Sequence, residues 1–418
     1  MPVAISVLTR NRDFRRLFLA ELVVLGADWF IMVPLLAFLP ELTGDGTLGA
    51  LMLAVDTGIL ALLLPFTGTV ADRFDRRKIL IVANIMAALS VLLLFAVRSA
   101  ATAPLALVAI GALAVAKAFY TPAAGAALPN VVDPADLAPA NTVAGSAWGT
   151  MTVVGASLGG LVSQVFSPYV CFAVTVLLLI AGTVLTILIR RPMQVPRGDG
   201  VAPPRALPAL AESLRYIARR PQLRALVTVK SAVGLGNGVL TVFPLIAAAH
   251  GVGAFGLGLL FALRGLGALI GPLVMRPVLN RPSWLLPGLA LSMGLYGIGY
   301  LGAAFTPWFP LLAVLVFVAH FGGGSNWVLS NFALQGAVPD ALRGRVFATD
   351  IMLATLSIAV SQLVAGAVIA SVEPRWIIAG CASITLVYAI VWRIATRGLS
   401  PSTEPTFGTT GTGERPLK

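Results

Sequence analysis

Apolar residues run through this chain in long blocks, set off by short polar, glycine-rich or proline-rich breaks. The blocks lie near residues 17–39, 47–70, 79–97, 104–126, 141–165 and 168–189, and again near 224–248, 254–275, 284–305, 309–332, 347–371 and 374–396. A bilayer core about 30 Å thick takes roughly 20 residues of α-helix to cross. A transmembrane β-barrel would show short segments of alternating polarity, and these runs are continuous. The pattern predicts an all-α polytopic membrane protein with twelve transmembrane helices.

The twelve fall into two sets of six. Residues 190–223, between the sets, are rich in proline, glycine and arginine and too polar to cross a membrane. Within them Leu207, Leu210, Leu214 and Ile217 recur at helical spacing opposite Glu212, Arg215 and Arg219, which predicts a short amphipathic helix at the membrane surface. The expected organisation is an N-terminal six-helix bundle over 1–189, a linker over 190–223, a C-terminal six-helix bundle over 224–396 and a tail over 397–418. The tail is rich in threonine, glycine and proline, a composition that predicts disorder.

The two bundles also repeat each other. Phe14 to Leu17 matches Leu223 to Leu226 at an offset of 209, which sets Asp28 on Asn237. Ala127 and Leu128 match Ala333 and Leu334 at an offset of 206, and Cys171 and Cys381 stand 210 apart. Six spans return the chain to its starting side, so the repeat is parallel and gives two pseudo-symmetric bundles. Rocking of such a pair about a central site is the physical basis of alternating access.

Composition agrees: 58% of residues are apolar, 11% are charged, and mean hydropathy is +0.93, so lipid surrounds most side chains. The formal charge of +12 suggests nucleic acid until the bases are placed. Of 29 Lys and Arg, 24 lie in the termini and even-numbered loops, Arg98 and Arg375 lie in odd-numbered loops, and Lys117, Lys230 and Arg264 lie inside spans. This is the positive-inside bias, and it predicts cytoplasmic termini in the plasma (inner) membrane and no nucleic-acid partner. Two cysteines in separate apolar runs and two distant histidines offer neither a metal set nor a catalytic constellation. A glycine-rich phosphate loop is also missing, so no enzyme, metal, cofactor or ATP-driven pump is expected.

Further residues carry a family resemblance. After the second span come Gly68, Asp72, Arg73, Asp75, Arg76, Arg77 and Lys78. Asn11, Phe14 and Arg15 precede the first span, and Asp28 and Trp29 lie within it. Pro122 with Leu128 and Pro129, Gly159 with Gly160, and Gln335 with Val338, Pro339, Asp340, Arg343, Gly344, Arg345 and Val346 complete the set. From about residue 10 to 396 the chain resembles the major facilitator superfamily, in the branch of drug:proton antiporters, macrolide-efflux proteins and enterobactin-type exporters. The resemblance implies the major facilitator fold and a monomer. It also implies secondary active export of a small amphiphilic molecule, a drug or siderophore, by alternating access and proton antiport. Two positions depart from the branch: Ala124 stands where Arg is frequent, and Ala156 replaces the proline of the antiporter motif in the fifth span.

Ionisable groups are costly in hydrocarbon, so those kept inside spans face a cavity, pair with one another or carry ions. The set comprises Glu21 and Asp28 on the first span, Asp56 on the second, Lys117 on the fourth, Lys230 on the seventh and Arg264 on the eighth, with His320 on the tenth. Glu21 and Asp28, seven residues apart, point to one helix face. A desolvated carboxylate with alternating access exchanges a proton near neutral pH, which makes Asp28 and Asp56 candidate proton-coupling sites. Simple acid–base pairing is the alternative. Glu21, Lys117, Lys230, Arg264 and His320 are expected at the substrate cavity, where the bases would attract an anionic or zwitterionic ligand. The alternatives are neutralisation of Glu21, Asp28 and Asp56 by the three bases, and a core role for His320. Trp29, Trp148, Phe243 and Trp327 are candidate walls suited to an amphiphile.

In the resembled family the loop after the second span latches the halves shut on the cytoplasmic side. That resemblance makes Gly68, Asp72, Arg73, Arg76 and Arg77, with Arg343, Arg345 and Asp350, the expected gate. Spacing alone reads the same arginines as a topology-setting cluster. Pro34 and Pro244 lie on the first and seventh spans and suggest paired kinks. A lipid or lysolipid flippase, or a receptor that has kept a transporter fold, is the alternative function.

Overall fold

A computed structural model describes residues 2–194 and 206–399. The middle of the linker and the tail expected to be disordered lie outside the described residues. Helix α1 (Pro2–Arg10) leads into α2 (Arg12–Thr43), α3 (Thr47–Arg73), α4 (Arg76–Leu93), α5 (Leu105–Val131), α6 (Leu137–Val165) and α7 (Pro168–Ile187). After the linker helix α8 (Ala206–Ala218) come α9 (Pro221–Gly236), α10 (Phe243–Ala249), α11 (Gly253–Val274), α12 (Pro282–Phe305), α13 (Phe309–Ala337), α14 (Asp340–Val368) and α15 (Pro374–Ala395). Among the described residues there is no strand.

Eleven of these segments, counting α9 and α10 as one, are long and apolar enough to cross a bilayer. The remaining long helix is α6, with 29 residues, in the place of the fifth span. Its glycine, serine and threonine content follows from its position between α2 and α11. A Cβ on Gly155 would come within 2.6 Å of the Gly26 carbonyl oxygen, and one on Gly159 equally close to that of Phe30. Small residues let membrane helices approach in this way. They also lower the hydropathy of this helix.

Two helix starts are fixed by polar side-chain caps. The Asn11 side chain accepts from the Asp13 and Phe14 N–H groups and caps α2, while its amide donates to the Val131 carbonyl at 2.9 Å and ties α2 to the end of α5. Asp75 caps α4 in the same manner, accepting from the N–H groups of Arg77 and Lys78. The repeat is visible in the packing: Phe14 and Leu17 are buried, and so are their counterparts Leu223 and Leu226. The paired kinks are not. The first span is one helix through Pro34, whereas the seventh breaks into a 3-10 segment over Asn237–Val242. Pro244 then stands in the first turn of α10, where its missing N–H removes no helical bond.

The bundles meet along two seams, α3 against α14 and α6 against α11. In the linker, α8 touches α3, α9 and α14, burying Ser213 and Ile217 and leaving Leu207 and Leu214 exposed.

Candidate functional site

Three intramembrane charges converge in the N-terminal bundle. Lys117 on α5 donates from Nζ to Asp28 Oδ1 on α2 at 2.8 Å and stands 2.6 Å from Asp56 Oδ1 on α3. The three side chains retain 16–18% exposure, so the cluster is sheltered but not sealed. One ammonium faces two carboxylates, leaving one negative charge when both acids are ionised. Glu21, two turns before Asp28, makes no ion pair among the described residues. Asp28 thus faces α5, and Glu21 lies two turns away along the same face of α2.

Arg264 on α11 reaches from the C-terminal bundle to the N-terminal one. Its guanidinium carbon lies 5.0 Å from the Trp29 ring centroid and 5.5 Å from that of Trp148. Its buried Nε and Nη1 make no hydrogen bond, and no carboxylate pairs with it among the described residues. A cation–π contact contributes up to about 2 kcal/mol when desolvated. Arg264 is half-buried overall, but its buried Nε and Nη1 lack an acceptor, a cost that the rings do not offset because they accept no hydrogen bond.

The remaining charges sit differently from expectation. Lys230, expected at the cavity wall, has a fully buried side chain that bonds Asp350 and donates to Asn331 Oδ1 at 2.8 Å. Trp327 covers it, with Nζ 5.4 Å from the ring centroid. Asp350, expected at the gate, is thus held within its own bundle. Nothing in the local sequence marks Asn331 as the third member. His320 is also buried: its Nε2 lies 2.7 Å from the Tyr300 hydroxyl, and its ring meets Tyr296 and Tyr300 edge-on. The neutralisation of three acids by three bases does not occur, because Lys117 takes two acids, Lys230 takes Asp350 and Arg264 takes none. Phe243, a candidate wall, packs on Phe261 and Tyr300 in the core.

At the ends carrying the basic loops, the expected gate residues bond within their own surroundings. Asp72, at the end of α3, lies 3.7 Å from Arg76 at the start of α4. Arg76 donates to the carbonyls of Ala126 and Met193, and Arg77 donates to that of Arg191. Arg73 is exposed. Arg343 donates to the Val338 carbonyl, and Arg345 pairs with Glu212 of α8 at 2.9 Å. A Cβ on Gly68 or Gly344 would meet nothing within 4 Å, so no close approach is made there. At the opposite ends the bundles touch: Gln164 accepts from the Ala254 N–H at 3.0 Å, and a Cβ on Gly366 would come within 2.9 Å of Ala50.

The family model for the Major Facilitator Superfamily matches residues 17–286 and again residues 232–417. The chain belongs to the major facilitator superfamily. It is a multi-pass membrane transporter and not an enzyme. Within the superfamily it is related to the enterobactin-exporter branch. It is 24% identical over 355 residues to the enterobactin exporter EntS of Salmonella typhi, covering 82% of each chain. To EntS of Salmonella choleraesuis (strain SC-B67) it is 25% identical over the same length and coverage. In structure it resembles a POT family transporter crystallised with 5-aminolevulinic acid, with a TM-score of 0.74 at 10% identity over 92% of this chain and 96% of that one. A bacterial homologue of the human lysosomal transporter Spinster, in an inward-facing and unoccupied conformation, gives a TM-score of 0.69 at 14% identity over 92% and 97%. At these identities the two structures speak for the fold alone.

Proposed function

We propose that this facilitator exports a small amphiphilic molecule, of the drug or siderophore class, from the cytoplasm across the plasma (inner) membrane by proton antiport. Both termini are cytoplasmic in this reading, on the positive-inside distribution of the loops. The observation that carries it is the cluster of Lys117 with Asp28 and Asp56. Two carboxylates sharing one ammonium hold one charge too many, and a single proton removes it. Such a group changes charge with little rearrangement, as a coupling site must. The apposed bundles at the ends with few basic residues and the separate gate loops at the other ends correspond to an inward-facing state. In the outward-facing state the loop around Gly68 and Asp72 would close on the start of α14. The named exporters among its relatives support the direction of transport. The test is flux: purified protein in liposomes with an imposed proton gradient is expected to move amphiphiles to which a deletion strain proves hypersensitive. No gradient-dependent flux of any such compound would overturn the proposal.

A further inference from the structure

The transport reading leaves one basic group without a role. Of the three intramembrane bases, Lys117 and Lys230 are committed to carboxylates, and only Arg264 keeps buried N–H donors with no acceptor. It lies at the boundary of the bundles, against Trp29 of α2 and Trp148 of α6. Trp148 is 43% exposed, so this corner is not sealed. The groups that act on Arg264 electrostatically from the C-terminal bundle, Tyr296, Tyr300 and His320, include no carboxylate. The ring faces of Trp29 and Trp148 stabilise the cation but accept none of its N–H groups. An anion would complete the set, because a guanidinium binds a carboxylate, sulfonate or phenolate through paired N–H donors.

We propose that Arg264, with Trp29 and Trp148, forms a subsite for an anionic group carried on an aromatic part of the ligand. The indoles stack the ring and the guanidinium takes the charge. This narrows the amphiphile of the transport reading, on which it rests, to an aromatic anion or a zwitterion presenting one. Asp28 is the neighbour of Trp29 on α2, so the anion would bind one residue from the proposed proton site.

The test uses full-length protein in lipid nanodiscs without any gradient, with empty discs subtracted. Dansylglycine, an aromatic anion, and dansylamide, its uncharged counterpart, are titrated and read by energy transfer from tryptophan. Arg264→Gln is expected to weaken dansylglycine binding by about tenfold or more, the loss typical of charge-assisted hydrogen bonds, with dansylamide within about twofold of wild type. Arg264→Lys, which keeps the charge but not the fork, should fall between. Unchanged dansylglycine binding in Arg264→Gln, equal loss of both probes, or no dansylglycine binding by wild type overturns the subsite. Protein that binds dansylglycine through Arg264 yet moves nothing under a gradient overturns the transport reading and leaves the subsite standing.

Discussion

In the N-terminal bundle Lys117 lies between Asp28 and Asp56 with all three side chains partly exposed, whereas in the C-terminal bundle Lys230 and Asp350 are shut away with Asn331. The repeat makes the contrast sharper. Glu21 and Lys230 stand at the offset of 209, and Asp56 and Arg264 at 208, so matched positions carry opposite charge. Duplication preserved the helices and their spacing while the ionisable residues diverged. One half holds excess negative charge within reach of solvent. The other holds a sealed pair and, among the described intramembrane bases, one cation without a carboxylate. The proposed proton coupling rests on the first arrangement, and the sealed pair of the second is assigned to stability.

The largest expected difference between the halves is therefore in stability. Asp350→Asn or Lys230→Met leaves one buried charge unpaired and should cost about 3–5 kcal/mol, read as a loss of thermal stability in detergent. The double variant should recover part of that loss. Asp28→Asn leaves Lys117 paired with Asp56 in a partly exposed site and should cost about 1 kcal/mol or less. Equal responses in the two bundles would remove the distinction.

A smaller effect is expected at the boundary. A Cβ on Gly258 of α11 would lie 2.6 Å from the Ala156 carbonyl of α6. Gly258→Val should therefore cost about 1–3 kcal/mol by overpacking the seam. Gly294→Ala, where a Cβ meets nothing within 4 Å, should instead be neutral or gain up to about 1 kcal/mol of helix propensity. Thermal unfolding of the two variants in parallel separates them. The smallest stability change belongs to Asp72→Asn, whose carboxylate is 45% exposed and 3.7 Å from Arg76. Expression and melting should stay at wild-type levels while transport is lost. Retained transport would reduce that loop to a topology signal.

The contrast also explains what the sequence made legible. Continuous hydrophobic runs with a centre of basic residues predict the helices and the division into sixes, because lipid forces backbone polar groups into helices. The candidates Asp28, Asp56 and Lys117 could be named because any ionisable residue in mid-span stands out. Their partners could not, since helix contacts depend on rotation about each axis, which apolar runs leave open. Lys230 and Arg264 look alike in sequence. Only tertiary packing gives the first a carboxylate from α14 and the second two tryptophans. The break after Gly236 is not legible in the sequence, because Pro244, the residue that suggests a kink, lies at the start of the following helix rather than at the break. Asp75 belongs to the loop segment that carries the resemblance, and its local work is to cap α4.

The central claim is that Asp28 and Asp56 with Lys117 take up the transported proton. The most direct measurement compares wild type, Asp28→Asn and Asp56→Asn in liposomes, each assayed for gradient-driven flux and for gradient-free counterflow of the same amphiphile. The account predicts that both variants lose gradient-driven flux while counterflow persists, since the carrier still binds and rocks but no longer exchanges a proton. Undiminished gradient-driven flux in both variants would contradict it.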